Sequence, residues 1–512
     1  MFYIRTYKRG EKMLSNITYW LDETTDRFPD KIGYVDGNGK LTFSETKIKA
    51  LNLANMIVQM GLFKKPIAIY MEKSTDALVS FFAVAYSGNF YSPIDVTMPE
   101  SRIIKIFECL QPELIITKKD LLEIKKYIPD GKFICMDDVD MVEHTYECVY
   151  EQREKTCDTD LLYVLFTSGS TGIPKGVSIS HKSVIDFIDC IVELFNFNET
   201  DAFGNQAPFY FDNSILDIYT TMRTGAVMYI IPQKLFAWPI PLLEYLDNNG
   251  INNIFWVPSA LIIISKLKAL KSYDMSGKLK RIMFCGEVMP NKQLNIWRRY
   301  LPDAVYVNMY GPTEITDVCT YYVVEREFSD DEPLPIGKAM KNTDIMVLNS
   351  ENKLVVGDEV GELCVRGTSL SLGYYNNPQK TSEVFVQNPL NTSYPELIYR
   401  TGDIVRYNER GEIIYLSRKD FQIKHLGHRI ELGEIETAVS SWDEVSMNCC
   451  LYDDKHSKIV LFIEGTLELS YVNEKISRFV PEYMLPNRLI CLDKMPINVN
   501  GKIDRVKLKE MI

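Results

Sequence analysis

From Ile17 to about Asp160 the chain alternates helically spaced apolar positions with short continuous apolar runs. Phe43 to Met60 places Leu51, Ala54, Ile57 and Val58 on one helical face, and Thr75 to Tyr86 predicts a second helix. Pro66 to Met71 and Glu113 to Thr117 predict buried strands. The alternation resumes at Val227–Ile231, Asn253–Val257 and Arg281–Phe284. Strand and helix in turn predict a parallel, doubly wound sheet, an α/β class. After about Asn342 the texture changes: Ile345–Leu348, Gly361–Arg366, Asp403–Tyr407 and Ile413–Leu416 predict short strands separated by Gly or Asn turns. A compact α+β portion follows from Phe421, with Glu434–Trp442 as a helix. The expected organisation is a large N-terminal domain, 1–419, made of two doubly wound subdomains and a β-rich one (about 342–419), followed by a small α+β domain, 420–512.

Length agrees with that division, since 512 residues at about 150 per domain give roughly three domains or subdomains. Hydrophobic residues at 46%, charged residues at 25% and a mean hydropathy of −0.11 exclude a disordered chain and a polytopic membrane protein. The net charge of −12 argues against a nucleic-acid coat, because phosphate binding wants a basic surface. Arg5, Lys8, Arg9 and Lys12 have no apolar stretch behind them, so Met1–Leu21 cannot act as a secretory signal and a cytoplasmic location is expected. The most apolar runs, Ala77–Tyr86 and Ile254–Ile264, are about half of a bilayer crossing and predict core elements, not membrane insertion. Eleven cysteines without C-x-x-C spacing, beside five histidines, predict reduced thiols and no structural zinc.

Candidate chemistry begins at Phe166–Val177, F-T-S-G-S-T-G-I-P-K-G-V, directly after the strand-like Leu161–Leu165. Three glycines, four hydroxyls and one lysine make a loop whose N–H groups and side chains can wrap phosphate oxygens. It is not a Walker A loop, which needs G-x-x-x-x-G-K-[ST]; here Pro174 precedes Lys175 and Gly176 follows it. Taken alone, such a cluster is more often a plain turn.

Six further segments follow in order: F-D-N-S at Phe211–Ser214, N-M-Y-G-P-T-E at Asn308–Glu314, Y-R-T-G-D at Tyr399–Asp403, R-K-D-F-Q-I-K at Arg418–Lys424, G-H-R-I-E-L-G-E-I-E at Gly427–Glu436 and N-G-K-I-D at Asn500–Asp504. With these, essentially the whole chain resembles the adenylate-forming superfamily of acyl-CoA synthetases, luciferases and peptide-synthetase adenylation domains. N-Q-A-P-F-Y-F-D at Asn205–Asp212, F-C-G-E-V-M-P at Phe284–Pro290 and Y-M-L-P at Tyr483–Pro486 narrow the likeness. They resemble D-alanine:D-alanyl carrier protein ligases and their peptide-synthetase relatives.

The resemblance implies an ATP-dependent, Mg²⁺-assisted activation of a carboxylate. Thr167, Ser168, Gly169, Ser170, Thr171, Gly172 and Lys175 would hold the β,γ-phosphates, and Glu314 would help hold Mg²⁺. Thr313 would meet the α-phosphate, Tyr310 would stack on adenine and Asn308 would read its amine, with Met309, Gly311 and Pro312 completing that segment. Asp403 would accept both ribose hydroxyls, a carboxylate having room for two donors, and Tyr415 and Arg418 would complete the ribose and phosphate contacts. Lys502 would reach the carboxylate and the α-phosphate. Asp420 stands at the hinge position of a mobile C-terminal domain, about which rotation would exchange Lys502 for the loop near Gly427.

Asp212 occupies the position that holds the substrate ammonium in amino-acid-activating members, which implies an amino-acid substrate lined by Asn213, Leu216, Met283, Cys285, Met309 and Asp317, with Lys502 at its carboxylate. Asn213 and Asp317 stand where D-alanine enzymes carry aliphatic residues. A buried unpaired carboxylate is costly, so Asp317 either faces water or meets a polar or cationic substrate side chain. The chain ends ten residues after Lys502, which predicts loading of the phosphopantetheine thiol of a separate carrier protein in trans. Two other readings stand beside this one: an acyl-CoA synthetase for another acid, against which Asp212 speaks, and a catalytically silent nucleotide-binding protein.

Overall fold

Two mixed sheets carry most of the first 340 residues of this computed structural model. It describes residues 14–128, 131–169, 173–419, 422–440, 442, 444–497 and 503–512. Ser170, Thr171, Gly172, Asp420 and Lys502 therefore lie outside the described residues. The larger sheet has nine strands. Six inner ones run parallel, in the order Val305–Tyr310, Arg281–Phe284, Asn253–Trp256, Ala202–Asn205, Val227–Ile230 and Ile32–Asp36. Antiparallel strands close both of its edges, Thr320–Val323 with Lys338–Ala339 on one side and Gly39–Thr42 on the other. The six-stranded sheet runs Phe133–Cys135, Leu114–Thr117, Pro66–Tyr70, Phe90–Ile94 and Leu161–Thr167 in parallel, with Lys175–Ser180 added antiparallel.

Local chemistry explains where these elements start. Thr42 accepts from the N–H of Glu45 while the Glu45 side chain takes that of Thr42, a capping box opening the helix Phe43–Gln59. Ser74 caps Thr75–Tyr86, whose residues are nearly all buried between the two sheets. The tyrosine hydroxyls of Tyr91, from the smaller sheet, and Tyr219, from the helix Ser214–Thr224, meet at 2.7 Å across that shared core. The apolar run Ile254–Ile264 divides into a strand, Asn253–Trp256, and a helix, Pro258–Lys266. Pro258 begins the helix where its missing N–H costs nothing.

After these sheets comes an antiparallel five-stranded sheet of Thr343–Leu348, Gly361–Gly367, Leu397–Tyr407, Phe385–Gln387 and Ile413–Arg418. The C-terminal portion contains a hairpin, Gln422–His425 with His428–Glu431, turned through left-handed Leu426 and Gly427. The helix Leu432–Ser440 starts two residues before the expected Glu434, immediately after the hairpin's second strand. A three-stranded sheet follows, and Ile430, Ile435, Val439, Leu461 and Ile476 form this portion's own apolar core. All eleven cysteines carry free thiols. Among the described residues no helix is long and apolar enough to cross a membrane.

One ion pair between the two ends of the chain is deeply buried. Arg102 Nη1, on the helix Glu100–Leu110, lies 2.6 Å from Glu434 Oε1, and both side chains are nearly inaccessible. Removing one partner of such a pair leaves an uncompensated charge, at about 3–5 kcal/mol, whereas removing both need not destabilise. Arg102→Met should therefore unseat the C-terminal portion and speed tryptic cleavage after residue 419. Arg102→Met with Glu434→Met should recover most of the protection.

Candidate active site

The parallel strands aim their C-terminal ends at one crevice, where open α/β sheets place ligands. Thr167 and Lys175 face each other across the strand pair that flanks the Gly/Ser/Thr loop. Gly169 and Ile173 approach closely: a Cβ on Gly169 would sit 2.0 Å from the Ile173 carbonyl oxygen. Val305–Tyr310 delivers Asn308, Met309 and Tyr310, then turns through Gly311 and Pro312 into the short helix Thr313–Ile315. Asn253–Trp256 and Arg281–Phe284 end at Val257 and Cys285. A cavity of about 1080 Å³ opens there, touching Thr167, Ser168, Asp212, Asn213, Thr313, Asp403 and Arg418 together with the hairpin residues Lys424, Gly427 and Arg429.

Glu314 is fully buried. Its Oε1 accepts from the Tyr374 hydroxyl at 2.7 Å and its Oε2 from Arg429 Nη1 at 2.6 Å. Burial alone would raise its pKa, but Arg429 and then Lys175 outweigh burial and hold it at about 2. Lys175 Nζ pairs with Glu431 at 3.3 Å; burial, then the nearby Arg429 guanidinium, lower the pKa of the lysine. Ser168 Oγ donates to the Arg429 carbonyl oxygen at 2.8 Å. The hairpin thus engages three side chains assigned to phosphate and metal.

On the ribose side, Asp403 Oδ1 accepts from Arg418 at 2.9 Å and Oδ2 from the Tyr310 hydroxyl. Asn308 donates its amide to the Pro335 carbonyl oxygen at 2.8 Å. Tyr415 lies on the adjoining strand Ile413–Arg418 and is half-buried. Of these residues Asp403 and Arg418 line the cavity, and they are direct partners.

Asp212 is also buried. It accepts the N–H of Asn213 at 3.1 Å, and burial raises its pKa although a hydrogen bond with Thr313 and the charge of Lys424 oppose this. Leu216, Met283, Cys285 and Met309 are buried but are not among the residues lining the cavity, and burial, with Asp317 adding to it, pushes the Cys285 thiol far up. Asp317 is 1% exposed and neither of its oxygens has a hydrogen-bond partner among the described residues.

The hairpin turn is wedged in place. The Gly427 N–H donates to Glu287 Oε1 at 2.9 Å, and Glu287 Oε2 accepts from Ser259 at the start of the helix Pro258–Lys266. A Cβ on Gly427 would come within 2.6 Å of Val257, at a φ of +80° that already favours glycine. His428 stacks on Tyr483 with ring centroids 3.6 Å apart and meets Phe211 edge-on. Burial lowers its pKa to about 3, so it serves as a neutral packing group.

This crevice matches a known family. The family model described as "AMP-binding enzyme" matches residues 21–375. The chain belongs to the AMP-binding enzyme family. It is 31% identical over 499 residues to zwittermicin A synthase ZmaJ of Bacillus cereus, covering 94% of this chain and 93% of that one. It is 29% identical over 509 residues to the D-alanine–D-alanyl carrier protein ligase of Lacticaseibacillus casei, covering 97% and 99%. Gramicidin S synthase 1 of Brevibacillus brevis is 31% identical over 495 residues, covering 96% of this chain but 44% of the relative. The chain thus spans less than half of several curated relatives it matches. In fold it is similar to the Vibrio cholerae adenylation domain AlmE in complex with glycyl-adenosine-5'-phosphate, with a TM-score of 0.83 at 22% identity over 99% of both chains. The NpsA-ThdA adenylation-PCP di-domain from Klebsiella oxytoca gives 0.81 at 20% identity over 95% of both.

The sequence reading assigned no role to Arg429, Glu431, Glu287, Lys424 or Tyr374. The first four stood inside quoted motifs, but their pairing across the chain carries no sequence signal. Tyr374 stood in none.

The depressed Glu314 pKa has a consequence for stability. A carboxyl at about 2 in the fold against an ordinary 4.5 adds stability that is complete above about pH 4.5 and is lost as pH falls toward 2. Glu314→Gln should lower stability to urea at pH 7 by about 3 kcal/mol. The gap between parent and variant should narrow steadily below about pH 5.

Proposed function

We propose that the chain adenylates an amino acid with ATP and transfers the aminoacyl group to the phosphopantetheine thiol of a carrier protein. The observation that carries this reading is Asp212: a buried carboxylate on the wall of the cavity that also holds Thr167, Thr313, Asp403 and Arg418. Buried carboxylates need a positive partner. An α-ammonium at Asp212 supplies one and turns the substrate carboxylate toward Thr313, whose side chain bonds Asp212.

The activation step joins a carboxylate oxygen to the α-phosphorus and releases pyrophosphate. In the transfer step the thiolate sulfur bonds the acyl carbon and AMP leaves. Lys175 and the Gly/Ser/Thr loop hold the leaving phosphates. Arg418 and Asp403 hold the ribose end, and Lys502 stabilises charge building up at the α-phosphate and carboxylate. Mg²⁺ is compatible with the donors present: Glu314 is one buried carboxylate, and magnesium commonly takes one or two carboxylates besides phosphate oxygens, whose charge it neutralises. Glu314 and Lys175 can serve phosphate only once Arg429 and Glu431 have moved away. We therefore assign the seated hairpin to the transfer step, with 1–419 and 420–512 moving as two bodies about Asp420 and with the cavity beside Gly427 receiving the pantetheine arm.

Two experiments test this. In single-turnover assays, Lys502→Ala should lower adenylation by roughly 10²-fold or more while sparing transfer from preformed adenylate. Gly427→Val, which would drive a side chain into Val257, should do the reverse. Equal loss of both steps in either variant would overturn the two-body assignment. Asp212→Asn should abolish amino-acid-dependent ATP–pyrophosphate exchange while ATP affinity by calorimetry stays nearly unchanged. Lost ATP affinity would place Asp212 in the nucleotide site instead.

A further inference from the structure

Glu314 divides its two oxygens between two parts of the chain. Oε2 accepts from Arg429, which comes from the hairpin, while Oε1 accepts from the Tyr374 hydroxyl at 2.7 Å. Tyr374 is no part of the hairpin. Residues 371–375 lie as a short antiparallel strap along the strand Lys175–Ser180. The Leu372 N–H donates to the Ser178 carbonyl oxygen at 2.8 Å, the Ser178 N–H to that of Gly373 at 3.0 Å, and the Tyr375 N–H to that of Gly176 at 2.7 Å. At its other end the Ser371 N–H donates to the Glu314 carbonyl oxygen at 2.9 Å. The strap thus stitches the strand that begins at Lys175 to the turn that bears Glu314.

The Tyr374 side chain repeats this connection. It is 6% exposed, its ring meets Phe385 edge-on, and its N–H donates to Thr381 Oγ1 at 2.9 Å. Gly373 permits that close packing: at its φ of +101°, a Cβ would lie 2.4 Å from Thr381 Cγ2. From this fixed place the hydroxyl meets Glu314, and the ring centroid lies 5.5 Å from Lys175 Nζ, within reach of a cation–π contact. One side chain therefore touches both groups assigned to metal and phosphate.

The terminal torsion of a glutamate is soft, so burial by itself does not fix how its two oxygens are directed. A hydroxyl donor fixes them without cancelling the charge. Withdrawal of the hairpin would take Arg429 from Oε2 and leave Tyr374 on Oε1. The carboxylate would then keep one committed oxygen and one vacated oxygen, and it would still need a cation.

We propose that Tyr374 is a positioning residue for the activation step: its hydroxyl holds Glu314 by Oε1 and leaves Oε2 for the divalent cation, while its ring keeps Lys175 beside the same carboxylate. The inference rests on the Mg²⁺-assisted activation reading above and goes beyond it by giving a role to a residue outside every quoted motif.

The test is Tyr374→Phe, which removes the hydroxyl and keeps the ring. In calorimetry without amino acid, Mg²⁺ should strengthen ATP binding to the parent, and the variant should lose about 10-fold or more of that gain. ATP affinity in EDTA should be the same in both. In amino-acid-dependent ATP–pyrophosphate exchange, the Mg²⁺ concentration giving half the maximal rate should rise by about 10-fold or more, with KM for the amino acid unchanged. Single-turnover transfer from preformed adenylate should be spared, because Arg429 holds Glu314 when the hairpin is seated. Adding Tyr374→Phe to Glu314→Gln should move the Mg²⁺ dependence no further than Glu314→Gln alone, since the hydroxyl acts through that carboxylate. An unchanged Mg²⁺ dependence, equal loss of adenylation and transfer, or loss of the folded state in Tyr374→Phe would overturn this assignment and leave amino-acid activation standing. Exchange by the parent with no amino acid at any Mg²⁺ concentration would overturn the activation reading and this one with it.

Discussion

A carboxylate without water around it must have a cation, and Glu314 imposes that requirement on the whole molecule. It has no accessible surface, it sits just past the end of a central strand, and its cation arrives from a hairpin more than a hundred residues away. Arg429 can reach it only when the hairpin lies in the crevice. That placement fixes Ser168 against the Arg429 carbonyl, Lys175 against Glu431 and Gly427 against Glu287. In the proposed two-body motion, withdrawal of the hairpin would take Arg429 from Glu314 and Glu431 from Lys175 together. Under that proposal, Lys175 would then hold a phosphate and Glu314 would help hold a divalent cation, which would neutralise phosphate charge. The proposed second arrangement and the seated hairpin would exclude each other by charge as well as by space.

The sheets supply the rigid half of this arrangement. Parallel strands buried on both faces put several chain ends in one plane, so Thr167, Val257, Cys285 and Tyr310 converge from distant parts of the sequence without needing long loops. Antiparallel additions at the edges bring back the chain where chemistry is needed: Lys175 returns beside Thr167 because its strand reverses, which no parallel crossover could do in so few residues. The five-stranded sheet plays a corresponding part for Asp403 and Arg418, which are register partners on neighbouring strands and hence meet as a pair.

Much of the architecture was legible because it depends on local pattern. Thr75–Tyr86 and Arg281–Phe284 were placed to the residue, their apolar runs being bounded by a capping serine in one case and by a lysine and a cysteine–glycine turn in the other. Ile254–Ile264 was legible as core but not as two elements, since an unbroken apolar run has no period and only Pro258 marks the change. The antiparallel edges were not foreseen either, because strand direction depends on distant pairing. Motifs gathered the candidate site residues, yet they could not show that Arg429 would answer Glu314 or that Glu287 would hold the Gly427 turn. Those are contacts between segments far apart in the chain, and pattern within each segment does not encode them.

The buried acids of this crevice sort themselves by a single test, whether the chain supplies the partner. Glu314, Asp403 and Glu434 are answered from within, and each answer ties one part of the fold to another. Asp212 has only neutral donors, Asn213 and Thr313, and Asp317 has none. Burial raises the pKa of both, with Glu314 adding to it at Asp212 and with Asp212 and Asp217 adding to it at Asp317. Internal pairs therefore tie distant parts of the chain together, and the two acids that lack a hydrogen-bonded cation stand apart from them.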